Sequence, residues 1–375
     1  MSQLQVNRIN DASGGVLAPI SSVFKNRIIN GDCRIDQRYA GASVTPSVST
    51  YTLDRWSAAL SQTSKFSIQQ NAGSVTPPAG FTNYLGTTSL ASTSLGASDF
   101  YFIDQRIEGF NIADLGWGTA NAATVTLSFW VRSSLTGTFG GALRNSAANR
   151  SYPFSYTISS ANTWEQKSIT IAGDTSGTWL TNNGVGISID FSIGTGSTFS
   201  GTAGAWSAGN FVTATGATSV VGTNGATFYI TGVQLEKGTQ ATSFEYRHYG
   251  TELALCQRYF CKSSSTNVVA TNNSALATGM FSSGVVNTYA TNAAYGNWIK
   301  YPVTMRTDAV TITFINTNLP IPGTSGQWSV YNGSGWLNTT SVVAQSYTTE
   351  GFNTALGFSG TAYMYYGSWT ASAEL

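Results

Sequence analysis

The sequence predicts an all-β protein: a jelly-roll β-sandwich followed by a second, smaller β-sandwich domain, behind a short N-terminal anchor segment. Three observations predict it. Val185, Ile187, Ile189, Phe191 and Ile193 alternate with Gly186, Ser188, Asp190 and Ser192, the period-two pattern of a strand with one buried face. Turn signals such as Thr136-Gly137, Gly140-Gly141, Gly173-Asp174 and Asn183-Gly184 punctuate the chain between such runs. Finally, Asn26–Asp32 reads as an opening strand and Tyr229–Gly238 as a closing one, and a two-sheet sandwich can pair its first and last strands.

The elements follow in order. In residues 1–24, Leu4, Val6 and Ile9 precede Asp11-Ala12-Ser13-Gly14-Gly15 and then Val16-Leu17-Ala18-Pro19-Ile20. So short a segment with a Gly-Gly break cannot bury its own apolar side chains, and it is expected to dock on another chain. Residues 25–247 form the jelly roll, with further strands at Phe66/Ile68, Phe100/Phe102 and Thr124–Arg132, and a long Gly/Ser/Thr/Ala loop over 194–224 that carries Trp206. Residues 248–262 hold one short connecting helix, with Thr251 as N-cap and Glu252 in its first turn. Residues 263–375 form the second sandwich, with Val310, Ile312 and Phe314 alternating and strands expected in Trp298–Met305 and Thr361–Tyr366.

Composition narrows the function. Of 375 residues only 9% are charged, the aromatic share is 13%, and the formal net charge is +1. A disordered chain would be charge-rich and aromatic-poor. A nucleic-acid binder would show a basic footprint. The basic residues Arg8, Lys25, Arg27, Arg34, Arg38 and Arg55 are interleaved with Asp11, Asp32, Asp36 and Asp54, which points to pairing. The N-terminus lacks the apolar stretch of a secretory signal. No apolar run reaches the ~18 residues that membrane insertion needs. Three cysteines, Cys33, Cys256 and Cys261, are too few and badly spaced for a zinc site and read as free thiols from a reducing cytoplasm.

Catalysis finds little support. The single histidine, His248, sits at the domain junction, and no nucleophile elbow, P-loop or dinucleotide fingerprint occurs in credible context. Glycoside hydrolysis needs two carboxylates flanking one bond, and the second domain offers only Asp308, Glu350 and Glu374. In the first domain Asp190 lies on the polar face of its strand, the nearest approach to a dyad across a sheet. The chain is therefore read as a non-enzyme without cofactor. A structural calcium is the exception considered, with Asn30, Asp32 and Glu236 as oxygen ligands where the first and last strands meet. The aromatics are the larger resource. Gln327–Asn338 sets Trp328, Tyr331 and Trp336 among amides, hydroxyls and glycines, with Asn332-Gly333 as a hairpin turn. Flat rings beside such donors suit a sugar, whose C–H face stacks while its hydroxyls find partners. Trp328, Tyr331 and Trp336, with Trp206 in the long loop, are the predicted ligand-binding residues; the competing reading places the rings in a core or an oligomer seam. Tyr363, Tyr365, Tyr366 and Trp369 form a second cluster.

Several segments together resemble a phage tail-fibre or virion-appendage family. They are Asn26–Arg38, Tyr51-Thr52-Leu53-Asp54-Arg55-Trp56, Val233–Arg247, Glu252–Phe260, Tyr301–Arg306 and Trp369–Leu375. The framing is similar to carbohydrate-binding-module jelly rolls. The resemblance implies a homotrimeric protein made in the host cytoplasm and carried on the virion, docked to other virion proteins through residues 1–24 and facing a host cell-surface glycan. The rival readings are a purely structural decoration or adaptor protein and a surface-polysaccharide hydrolase.

Overall fold

The computed structural model describes residues 8–10, 16–19, 24–273, 281–283, 286–290, 293–317 and 322–375. Within the N-terminal segment, Arg8–Asn10 pairs antiparallel with Val16–Pro19; the docking expected of residues 1–24 otherwise lies outside the described residues.

Among the described residues, the first domain is two antiparallel sheets face to face. The larger runs, in spatial order, Ser207–Ala208, Arg150–Ile158, Gly137–Arg144, Val185–Thr195, Phe100–Glu108, Trp56–Leu60 and Thr50–Leu53. The smaller runs Glu165–Ile171, Val125–Ser133, Thr227–Lys237, Leu85–Ser89 and Phe66–Gln70. The inward residues of both build one core, with Trp56, Phe129, Phe139, Phe154, Phe191 and Phe228 at its centre. The strand Val185–Thr195 departs from its predicted half-buried pattern: Asp190 and Ser192, on its polar side, are also buried. Its place in the middle of the larger sheet explains this, because Arg144 and neighbouring polar side chains roof the outer face.

The opening segment is a second departure. Asn26–Asp32 lies beside Thr227–Lys237 as predicted, but it is not a strand. The Asn26 side chain replaces part of a ladder, donating to the Val233 carbonyl at 3.1 Å and accepting from Leu235 N–H at 3.0 Å. Asn30 and Cys33 take left-handed backbone angles (φ 57° and 56°), which break extension. The closing strand yields as well. Its register shifts between Thr231 and Gln234, Gly232 supplies φ +59°, and Val233 N–H donates to Gly31 O at 2.9 Å. A Cβ on Gly31 would stand 2.2 Å from Val233 O, so the approach requires glycine there.

The helix spans Tyr249–Gln257 and its N-cap is His248, with Thr251 inside the first turn, so the predicted cap is three residues late. Glu252 accepts from Asn30 N–H and from Arg247 at 3.2 Å, so tertiary partners hold this end.

In the second domain the strand Met364–Ser372 is central. Phe260–Lys262, Thr311–Ile315, Phe281–Ser283 and Ser329–Tyr331 pair with it, and Trp336–Asn338 extends the sheet beyond Ser329–Tyr331. A second sheet, built on Gly351–Leu356 with Ile299–Lys300, Ala293–Tyr295 and Val342–Tyr347, packs over it. Trp328, Tyr365, Trp369, Phe314, Phe352 and Tyr301 fill the space between. Only Ile299–Lys300 of the segment Trp298–Met305 is strand.

Candidate functional site

The hairpin Ser329–Tyr331/Trp336–Asn338 positions the site. Tyr331 pairs directly with Trp336 across it, and the turn forms at Asn332–Gly335, with Gly333 at φ +93° and Asn332 Oδ1 accepting from Ser334 N–H at 3.0 Å and Gly335 N–H at 2.9 Å. Alternation then sorts the rings. Trp328 and Val330 face inward and are fully buried, while Tyr331 faces outward.

Trp328 is therefore a core residue, which corrects the prediction that pairs it with Trp336 as a platform. Its ring stacks on Tyr365 at 5.7 Å, meets Phe314 edge-on at 5.4 Å, and its Nε1–H donates to Ser368 O at 3.1 Å. Trp206 is placed elsewhere again. It closes a cage with Trp117 and Trp179, both at 5.3 Å, and its Nε1–H donates to Ala172 O at 2.7 Å. The 194–224 loop thus uses its tryptophan to seal the first domain's core.

Tyr331 and Trp336 do come together, at 5.4 Å, and the structure adds a third ring. Tyr366 stacks on Trp336 at 4.6 Å with planes 19° apart. Those two residues sit on either side of the strand Ser329–Tyr331, and Tyr366 is the register partner of Ser329. Their rings lean over the middle strand, which is why outward-facing Ser329 is fully buried. Ser329 Oγ and Asn316 Nδ2 both donate to Asn338 Oδ1, at 3.0 and 2.9 Å, anchoring the floor. Tyr363, 49% exposed, covers the turn at Gly333. The result is a ladder of rings bordered by Asn332, Ser334 and Asn338 on an outer sheet face. It offers π surface for C–H groups and neutral polar groups for hydroxyls.

The carboxylates are committed to the protein. Asp190 and Asp104 are cross-strand partners on the larger sheet of the first domain. Arg144 grips Asp190 with two nitrogens, at 2.5 and 3.1 Å, and Ser188 Oγ donates to it at 3.0 Å; Asp104 accepts from Ser57 and from Arg106 at 3.1 Å. Burial pushes the Asp190 carboxyl up against the pull of Arg144. Asn30, Asp32 and Glu236, the predicted calcium ligands, go to different partners. Asn30 bonds Ile35 and the Asp54 carbonyl, Asp32 pairs with Arg34 at 3.0 Å, and Glu236 accepts from Gln234 and from both N–H and hydroxyl of Thr242. Among the described residues no group of three His, Cys, Asp or Glu could hold a metal ion.

These oxygens belong to a polar hub that joins the domains. Arg258 holds Glu108 with two nitrogens, at 3.1 and 2.8 Å, and Tyr259 Oη donates to the same carboxylate at 2.7 Å. Asp54 accepts from Gln37 N–H and Nε2–H, both at 2.6 Å, and Lys262 donates to Gln37 O at 2.6 Å. Arg38 and Arg55 both pair with Glu374. Burial raises the Asp32 and Asp54 carboxyls to about 6 and lowers the Lys262 ammonium to about 8.

Fold and site thus define a two-domain all-β protein with an aromatic sheet face on its second domain and no helix, among the described residues, long and apolar enough to cross a membrane. No protein-family model matches the chain, and no curated protein matches it. Solved structures show distant likenesses. The enzymatically active domain of tailspike protein 4 of bacteriophage CBA120 is 11% identical with a TM-score of 0.30, over 58% of this chain and 22% of that one. A family 11 carbohydrate-binding module from Clostridium thermocellum, in complex with a β-1,3-1,4-mixed-linked tetrasaccharide, is 11% identical with a TM-score of 0.27, over 52% of this chain and 100% of that one. A CBM4 structure is 12% identical with a TM-score of 0.26, over 49% and 95%. All three scores lie below 0.5, so the fold rests on the strand order described above.

Proposed function

We propose that the chain is a phage virion appendage protein, a homotrimeric fibre component that attaches to a host-surface glycan through the outer aromatic face of its second domain. The observation that carries this reading is the Trp336–Tyr366 stack, with Tyr331 beside it and neutral amides and hydroxyls around it. An apolar sheet face serving only as a core would be covered; here Met364, the register partner of Tyr331 on the same face, stays exposed. The resemblance of Asn26–Arg38, Val233–Arg247 and Glu252–Phe260 to virion appendages supports the location on the particle. The reading is of binding without turnover, because Asp104 and Asp190 are engaged by arginines. Virions or purified protein carrying Trp336→Ala and Tyr366→Ala together should lose adsorption to host cells while melting as the parent does. Unchanged adsorption would transfer the chain to the decoration or adaptor class. Release of reducing ends from host polysaccharide by the purified protein would return it to the hydrolases.

A further inference from the structure

The charges of the second domain lie away from its aromatic face. Residues 263–375 contain five charged side chains: Lys300, Arg306, Asp308, Glu350 and Glu374. Arg306, Asp308 and Glu374 sit at the end of the domain that meets the first domain, and Lys300 and Glu350 lie on the second sheet beside residues that pack on Trp369. Arg306 donates to Ala373 O at 2.7 Å and to Asn183 O, and Glu374 pairs with Arg38 and Arg55. Asp308 leads into Thr311, the register partner of Ser372. Lys300 pairs with Gly351 on the other sheet, and Tyr301 N–H donates to Glu350 O at 2.9 Å; the neighbouring Tyr301 and Phe352 rings pack on Trp369, at 5.8 and 5.3 Å. Tyr366 lies six residues up the central strand from Ser372, which pairs with Phe260 at the junction. At roughly 3.3 Å per residue the junction end is about 20 Å from Tyr366 and the level of Trp369 about 10 Å, both beyond a Debye length of about 8 Å at physiological ionic strength.

We infer that the ligand of the Tyr331–Trp336–Tyr366 face is an uncharged glycan, a neutral polysaccharide whose sugar rings present flat C–H faces. This rests on the glycan reading above. A uronate, sialate or phosphate group would be stripped of water beside rings and amides with no cation to receive it. A neutral pyranose places its ring hydrogens on the π faces and its hydroxyls on groups such as the Asn332 amide, whose oxygen is committed to the turn while its NH₂ has no partner among the described residues. Salt then has nothing to screen.

The test is a glycan array holding neutral, uronate-containing, sialylated and phosphorylated glycans. It is probed with the full chain, with Trp336→Ala and with Trp336→Phe, each at low and high salt. Neutral glycans should be retained with affinity constant in salt, lost about tenfold or more in Trp336→Ala and largely kept in Trp336→Phe, whose ring persists. Capture of acidic glycans that weakens steeply with salt and still requires Trp336 would overturn the neutral ligand while leaving the aromatic face in place. No glycan retained, or retention indifferent to Trp336→Ala at parental melting temperature, would overturn the aromatic face itself and the inference with it.

Discussion

Arg55 in the first domain and Glu374 in the last residues of the second form a buried ion pair across the domain junction, 319 positions apart in sequence. The guanidinium is 1% exposed and lies over the Tyr259 ring at 3.6 Å, and Glu374 also receives Arg38 at 2.8 Å. Segments far apart in sequence, Asn26–Arg38, Tyr51–Trp56, Glu252–Phe260 and Trp369–Leu375, converge on this joint, which fixes the second domain against the first.

Removing one partner of a buried pair leaves the other desolvated and unpaired, at a cost of about 3–5 kcal/mol. Glu374→Ala should therefore lower the stability of the whole chain by that order. Chemical denaturation of the variant should show it, and a loss below about 1 kcal/mol would mean that the pair is replaceable by water.

The two tryptophans of the hairpin region should part company. Trp328→Ala empties a site enclosed by Tyr365 and Phe314 and should cost about 3–5 kcal/mol. Trp336→Ala removes a half-buried ring and a stacking partner, worth about 0.5–1.5 kcal/mol beyond area, so its melting temperature should move far less. Differential scanning calorimetry on the two variants separates them, and equal losses would place Trp336 in the core.

Gly367 permits the Trp328 site. A Cβ there would stand 1.8 Å from Trp328 Cδ1, and both groups are enclosed. Gly367→Ala should destabilise the second domain by at least the ~1–3 kcal/mol of an overpacked core. Loss of the native tryptophan fluorescence would report it, and a parental spectrum and melt would show that the ring has room to move.

The junction should make stability depend on pH in an unusual sense. Asp32 and Asp54 are raised by burial from 3.8 to about 6, so between pH 4 and 6 the folded chain holds protons that the unfolded chain has released. Their contribution grows as pH falls from 6 to 4 and is lost as pH rises, with each shift worth at most about 3 kcal/mol. Lys262 is lowered by burial from 10.5 to about 8. Between those values the unfolded chain holds the extra proton, so its contribution improves as pH rises from 8 toward 10.5. Thermal melts from pH 4 to 10 should show a minimum near pH 6–8, flattened on its acid side in an Asp32→Asn, Asp54→Asn double variant. A single maximum at neutral pH in the parent would contradict the assignment.

By itself the sequence determined the all-β class and the hairpin at Asn332-Gly333, because alternation and turn chemistry are local. It also places Trp328 and Tyr331 an odd number of positions apart in one extended run, which puts them on opposite sides. Only the tertiary structure decided the rest. Tyr366 reaches Trp336 because two different strands flank Ser329, and sequence spacing does not specify which strands become neighbours. Asn26–Asp32 reads as a strand running into an Asn-Gly turn, but Asn30 takes a left-handed backbone angle and bends it, so that the Asn26 side chain can satisfy a closing strand some two hundred residues away. Carboxylates such as Asp32, Glu236 and Asp190 read alike in sequence as metal ligands or acids. A buried charge is stable only with a partner in place: Arg34 and Thr242 are near sequence neighbours of Asp32 and Glu236, whereas Arg144 reaches Asp190 from 46 positions away and is brought there by strand pairing.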